Sequence, residues 1–248
     1  MDLENPKSFN EKINYLKLHT RYDLASIVAD KYRVREYVKG KIGETYLIPL
    51  IGIYKKAEDI AFHELPNQFA LKTNHGSGWN VICREKSNLN IKRVVKKLNT
   101  WLNFNAYYLS REYQYKDIKA LILCEELLRY NIEDYKFFCF EGEPKFIQVD
   151  VGRFTYHERA YYDLDWNLLP FSICYPITGK DLLRPEKLEE MISISKKLAC
   201  DFFFSRIDLY LHNDKIFFGE ITLFPEGGSG PFIKKDQDFM VGEYLELK

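Results

Sequence analysis

Residues 205–211 and 215–224 carry apolar side chains mainly at odd positions (Ile207, Leu209, Leu211, Phe217, Ile221, Leu223) and polar ones at even positions (Arg206, Asp208, Glu220, Thr222). A period of two over both runs dictates a strand pair with one buried and one polar face. The runs are joined at Asn213-Asp214, and a plain two-residue turn would put Asp208 and Glu220 on opposite faces. For the polar sets to share a side, the hairpin needs a three-residue loop or a bulge, which the pattern therefore predicts. Two carboxylates and a hydroxyl beside an arginine suit Mg²⁺ on substrate phosphates, since Mg²⁺ takes few protein oxygens. A solvated face with surface ion pairs is the plainer alternative.

The rest of the chain reads as α+β with mostly antiparallel strands. Ser8-Phe9-Asn10-Glu11 is a capping box opening a helix to about Thr20, and Asp23 caps a second helix running to Gly40 or Gly43. Strands are predicted at 47–50, 68–74, 79–84, 118–128, 159–163 and 168–174, with a hairpin of 135–140 and 144–151 across Glu141-Gly142. Amphipathic helices are predicted over 91–102 and from Pro185 to near Asp201.

A chain of 248 residues that is 46% hydrophobic has enough apolar surface for a real core, which excludes disorder. The longest apolar stretch, 47–54, is short and contains Pro49 and Gly52, so neither a signal peptide nor a membrane-spanning helix is expected. Five widely spaced cysteines suit buried thiols and a cytoplasmic location. The scattered histidines, with no CxxC or HExxH, give a zinc site no support. Thirty-six basic residues balance thirty-six acidic ones, which argues against a nucleic-acid partner. The sum hides segregation: nine basic residues face three acidic ones between Arg84 and Lys119, enough for an acidic glycan or weak association with a membrane surface.

Two further segments have chemical potential. His75-Gly76-Ser77-Gly78 lies between two strands and is no Walker loop; it suits a flap whose N–H groups close over phosphates, with Lys72 leaving the sheet opposite Phe69 and Leu71. An ordinary hairpin loop with an exposed lysine is the alternative. The strand ending in Glu125-Glu126, before Leu127-Leu128, offers backbone groups for an adenine edge and acids for ribose, or simply solubilises a strand end.

In order and spacing, Asp30-Lys31, Lys72 with its loop, Glu125 to Leu128, Arg206-x-Asp208 and Glu220-x-Thr222 resemble the ATP-grasp superfamily. More closely, Asn5-Pro6-Lys7-Ser8-Phe9-Asn10-Glu11, Asp30-Lys31-Tyr32, Asp134-Tyr135-Lys136 and Phe218-Gly219-Glu220-Ile221-Thr222 resemble its TupA-like family of surface-polysaccharide and teichuronopeptide biosynthesis. The resemblance implies an ATP-grasp fold, two α+β subdomains with mainly antiparallel sheets clasping ATP between them. Its expected divisions are a helical segment over 1–28, a small subdomain over 29–126 and a C-terminal subdomain over 127–248.

The resemblance also implies roles. Lys31, Lys72 and the loop His75, Gly76, Ser77, Gly78 would contact ATP. Glu125, Glu126 and Leu128 would line adenine, Asp134 would take ribose, and Arg159 would be a further cation beside the phosphates. Asp208, Glu220 and Thr222 would bind Mg²⁺, with Arg206 on the transferred phosphoryl group. Thr222 stands where many superfamily members have an asparagine ligand. The implied reaction joins an amino acid or other amine to a carboxylated glycan through an acylphosphate, which needs no nucleophilic side chain and agrees with the absence of a Gly-x-Ser-x-Gly elbow. Two rivals stand beside it: a glycosyltransferase using Asp163-Leu164-Asp165 as a metal-binding DxD, and a non-catalytic polysaccharide-binding module.

Overall fold

Period-two patterning and turn residues produce two antiparallel sheets in the computed structural model, which describes residues 1–128, 134–152 and 156–247. In chain order the helices are α1 (Phe9–His19), α2 (Ala25–Ala29), α3 (Val34–Ile42), α4 (Ile91–Leu102), α5 (Tyr107–Ser110), α6 (Leu188–Ala199) and α7 (Lys235–Gly242). The strands are β1 (Leu50–Tyr54), β2 (Phe69–Thr73), β3 (Asn80–Cys83), β4 (Ile122–Glu126), β5 (Asp134–Phe140), β6 (Glu143–Val151), β7 (Glu158–Tyr162), β8 (Phe204–His212) and β9 (Lys215–Thr222).

One compact unit comprises 23–39 and 47–129, built on a sheet of order β1-β4-β2-β3. Phe69, Leu71, Ile122 and Cys124 form its core, onto which α4 buries Val94 and Leu98. The predicted second helix is interrupted here. Asp30 Oδ1 accepts the backbone N–H of Tyr32 (2.8 Å) and Arg33 (3.3 Å), and this local capping ends α2 and restarts the chain as α3.

The other unit comprises 1–22, 40–46 and 130–248, with a sheet of order β7-β6-β5-β8-β9. The first helix joins this unit instead of standing as a segment of its own, because Phe9 is buried against the rings of Phe138, Phe140, Phe204 and Phe232. Its N-terminus has the expected capping box of Ser8 and Glu11. Residues 168–174 do not form the predicted strand; they hold only isolated bridges, Leu168 to Tyr162 and Ile173 to Phe232. A C-terminal helix that periodicity had not marked, α7, receives Asn10 of α1 through Asp238.

The last hairpin resolves the parity problem. Its turn has two residues, Asn213 and Asp214, both left-handed (φ 48° and 59°), the geometry that follows strand twist. The predicted bulge lies in β9: Leu209 pairs with Phe218 but Asp208 pairs with Glu220, leaving Gly219 as the extra residue. A Cβ at Gly219 would stand 3.0 Å from the Asp208 carbonyl oxygen and from the Tyr210 ring.

Candidate functional site

Each unit carries a polar cluster of its own. In the five-stranded sheet, register aligns Tyr161, Gln148, Lys136, Asp208 and Glu220 across β7, β6, β5, β8 and β9, so alternation alone sends them to one face. Arg206 binds Asp208 through two nitrogens, Nε to Oδ1 at 2.7 Å and Nη2 to Oδ2 at 2.8 Å, and Nη2 also donates to Glu220 Oε1 (2.9 Å) and Thr222 Oγ1 (3.2 Å). Thr222 Oγ1 donates to Glu220 Oε1 at 2.9 Å. Lys136 Nζ donates to Asp208 Oδ2 at 2.6 Å and to Asp134.

Burial pushes the Asp208 carboxyl up to about 6, against the pull of Arg206 and Lys136. Burial works against charge at Lys136 as well, yet Asp208 and Asp134 hold its ammonium above its ordinary value. The network continues through Arg159, which donates to Asp150 Oδ1 (2.8 Å), the Ile173 carbonyl (2.7 Å) and Glu226 Oε1 (3.3 Å) and stacks over Tyr175. Burial opposes the Asp150 charge, but Lys136 and Arg159 bring its carboxyl below the usual range.

Five carboxylates (Asp134, Asp150, Asp208, Glu220, Glu226) thus meet three permanent cations (Lys136, Arg159, Arg206), an excess of two negative charges. That excess, and the hard oxygens of Asp208 and Glu220 on one guanidinium, fit a divalent cation that completes its shell with water or phosphate oxygens. Among the described residues no group of three or more His, Cys, Asp or Glu side chains is placed to hold a metal, so protein ligation would be limited to this pair and Thr222.

Asp134, expected at ribose, is buried and committed to Lys136 on the central strand, which argues against that role. Arg159, expected as a cation beside phosphates, is equally committed.

The second cluster lies on β2, β4 and the start of α3. Lys72 Nζ donates to Glu125 Oε2 at 2.7 Å, and Arg35 Nη1 approaches Glu125 Oε1 at 3.4 Å, so one buried carboxylate holds two cations. Neighbouring Glu126 is exposed, and Leu128 is half-buried. Lys31 Nζ donates to the carbonyl of Gly76, inside the glycine loop. Thr73 N–H to Trp79 O (3.1 Å) closes that loop, and Ser77 and Gly78 at its tip are exposed. Gly76 is required by packing: a Cβ there would meet the Trp79 ring at 2.4 Å.

His75 faces inward. Its Nε2 lies 3.0 Å from Phe104 O and 3.2 Å from Trp101 O, its Nδ1 lies 3.2 Å from Asn74 Oδ1, and burial lowers its pKa. Its ring thus anchors the loop. Asn74 beneath it donates to Asp30 Oδ1 (2.9 Å) and Lys119 O (3.0 Å) and accepts from Leu121 N–H (2.7 Å).

The DxD segment is a turn: Asp163 accepts from Asp165 N–H, Asn167 N–H and the Asn167 amide, around left-handed Trp166. This use of Asp163 removes the observation that favoured a glycosyltransferase. Sequence reasoning did not single out Lys136, Gln148, Asp150, Glu226, Arg35 or Asn74 as site residues. The parity of Lys136, Gln148 and Asp150 within apolar runs was the available signal; the others depend on tertiary placement.

A family model, TupA-like ATPgrasp, matches residues 11–246. The chain belongs to this family. Its two antiparallel sheets are those of an ATP-grasp fold. No curated protein matches the sequence. Among solved structures, a D-alanine–D-alanine ligase from Bacillus anthracis complexed with ATP is similar at 16% identity and a TM-score of 0.49, over 82% of this chain and 56% of that one. N5-carboxyaminoimidazole synthetase from Staphylococcus aureus complexed with ADP aligns at 16% identity and a TM-score of 0.48, over 80% and 45%. D-alanine–D-alanine ligase from Helicobacter pylori aligns at 14% and 0.48, over 98% and 70%. This TupA-like chain spans about half the length of the first two.

Proposed function

We propose that this chain is an ATP-dependent carboxylate–amine ligase, joining an amino acid to a carboxylated sugar of a bacterial surface polysaccharide in the cytoplasm. Membership of the ATP-grasp family supports the ligase class. The observation carrying the reading is the row in which Arg206 holds Asp208, Glu220 and Thr222 on one sheet face, together with charge and no serine or cysteine nucleophile in the row. Such an inventory stabilises and positions phosphate without forming a covalent bond to it.

A substrate carboxylate oxygen attacks the γ-phosphorus of ATP, the bond to the β-bridging oxygen breaks, and ADP leaves. The amine nitrogen then attacks the acyl carbon of the acylphosphate, phosphate leaves with the C–O bond electrons, and the nitrogen gives up its proton as the amide forms. Arg206 neutralises charge building on the transferred group, and Lys72 and Lys31 hold the nucleotide phosphates, Lys72 by exchanging Glu125 for a phosphate oxygen. Glu126 and the backbone near Leu128 receive the base. Asp208, Glu220 and Thr222 would hold Mg²⁺, which supplies charge neutralisation on the phosphates.

Incubating the protein with ATP, Mg²⁺, an oligouronide and a panel of amino acids tests the reading. ADP, phosphate and an amide in equal amounts are expected. Consumption of a nucleotide sugar without ATP turnover would assign it to the transferases, and absence of nucleotide binding would leave a non-catalytic module.

A further inference from the structure

The segment richest in cations is α4 with the turns that follow it, whose Trp101 and Phe104 carbonyls anchor His75 while its charged side chains face outward. α4 buries only Val94 and Leu98, and around these the helix turns Lys92, Arg93, Lys96 and Lys97 to the exterior. A shallow groove runs along it between Ile91, Lys92, Val95, Lys96 and Asn99, and Glu58 reaches this groove as acceptor of the Asn99 amide at 2.6 Å.

Beyond α4, large apolar side chains stay substantially exposed: Tyr108 at 67% and Leu109 at 71%, and Phe104 at 41% with one edge against Trp79, with Ile91 at 44% at the start of the helix. Arg111 lies over the rings of Tyr107 and Tyr108, 5.5 and 6.0 Å from their centroids, so cations are interleaved with the apolar groups. Nine basic residues oppose three acidic ones from Arg84 to Lys119 in a chain of zero net charge.

A soluble polyanion would need the cations alone. Exposed aliphatic and aromatic groups among cations are the pattern of a surface that enters the headgroup zone of an anionic bilayer. No helix among the described residues is long and apolar enough to cross a membrane, so this contact would lie at the interface. We propose that α4, with Phe104, Tyr108 and Leu109, is a reversible docking surface for an anionic lipid bilayer. Basic side chains supply a long-range attraction that salt screens, and the apolar ones supply a short-range component that it does not. The surface is independent of the ligase reading, since none of its residues is assigned to nucleotide or metal.

Flotation of the full chain with vesicles tests this. Vesicles of phosphatidylcholine with about 30 mol % phosphatidylglycerol should bind it, pure phosphatidylcholine should bind it about ten-fold or more weakly, and raising NaCl to about 0.5 M should release most of it. Lys92→Glu with Lys96→Glu should lower the partition coefficient about ten-fold or more, and Leu109→Ser with Tyr108→Ser should lower it severalfold, both with unchanged thermal midpoint and unchanged nucleotide binding. Equal binding to the two vesicle types, wild-type binding by the Lys→Glu variant, or binding to soluble dextran sulfate with none to anionic vesicles would overturn the proposal.

Discussion

Asp208 and Glu220 face each other directly across β8 and β9, and the single unpaired residue Gly219 sets that register. The bulge tolerates no side chain without a shift, because its Cβ position is 3.0 Å from the Asp208 carbonyl oxygen. Gly219→Val should cost about 1–3 kcal/mol by overpacking and weaken Mg²⁺-dependent nucleotide turnover. Urea unfolding compared with wild type checks the first part; an unchanged midpoint would mean that β9 accommodates the side chain.

Lys136 is the cation that two buried carboxylates share. Lys136→Met removes the ammonium that Asp134 and Asp208 share, leaves Asp208 to Arg206, and should destabilise the fold by about 3–5 kcal/mol, the range for breaking a buried ion pair. Combining it with Asp134→Asn should recover part of that loss. Thermal or urea unfolding of both single variants and the double gives the coupling, and strict additivity would contradict a shared network.

Lys72 has a different balance. Its Glu125 pair is one-quarter exposed on the lysine side, so losing the pair should change stability by about 1 kcal/mol or less. Its proposed phosphate contact is charge-assisted and desolvated on binding. Lys72→Ala should therefore weaken ADP binding about ten-fold or more, read by calorimetry, while Glu125→Gln should retain binding better. Equal affinity for wild type and Lys72→Ala would remove Lys72 from the nucleotide site.

The capping box of α1 makes a pH prediction. Backbone N–H groups of Asp2, Lys7 and Ser8 lower the Glu11 carboxyl from 4.5 to about 2. A carboxyl depressed in the folded state stabilises above its unfolded value and loses that contribution as pH falls from about 4.5 through about 2. Glu11→Gln should therefore be less stable than wild type at pH 7, by about 1 kcal/mol or less for this partly exposed cap, and the gap should close in acid. A gap that widens toward pH 3 in urea titrations would contradict the sign.

Local signals carried much of this structure into the sequence. The capping box placed α1, the spacing of Val94 and Leu98 placed α4, and the parity of Asp208 against Glu220 required a three-residue loop or a bulge, of which the bulge is present. What sequence could not carry was competition between local and distant partners. The Asp30 side chain interrupts a helical stretch because it also receives Asn74, 44 residues away. His75 sits in a glycine loop that looks built for phosphate, yet two carbonyls from 101 and 104 draw its ring inward. Asp134 lies at a strand start, where an acid reads as solvent-facing, but register sets it beside Lys136 and opposite Tyr210 and Asp150. Lys136 was legible as part of a family motif and as a polar residue of the right parity in an aromatic run, but not as the partner of two carboxylates.

The ligase account stands most directly on one comparison: Mg²⁺-dependent ADP formation by wild type, Asp208→Ala and Glu220→Ala, with an oligouronide and amino acids, after circular dichroism has shown each variant folded. The account predicts that both substitutions reduce turnover by about a hundred-fold or more and abolish amide product. ATP-dependent amide synthesis at near wild-type rate in both variants would contradict it.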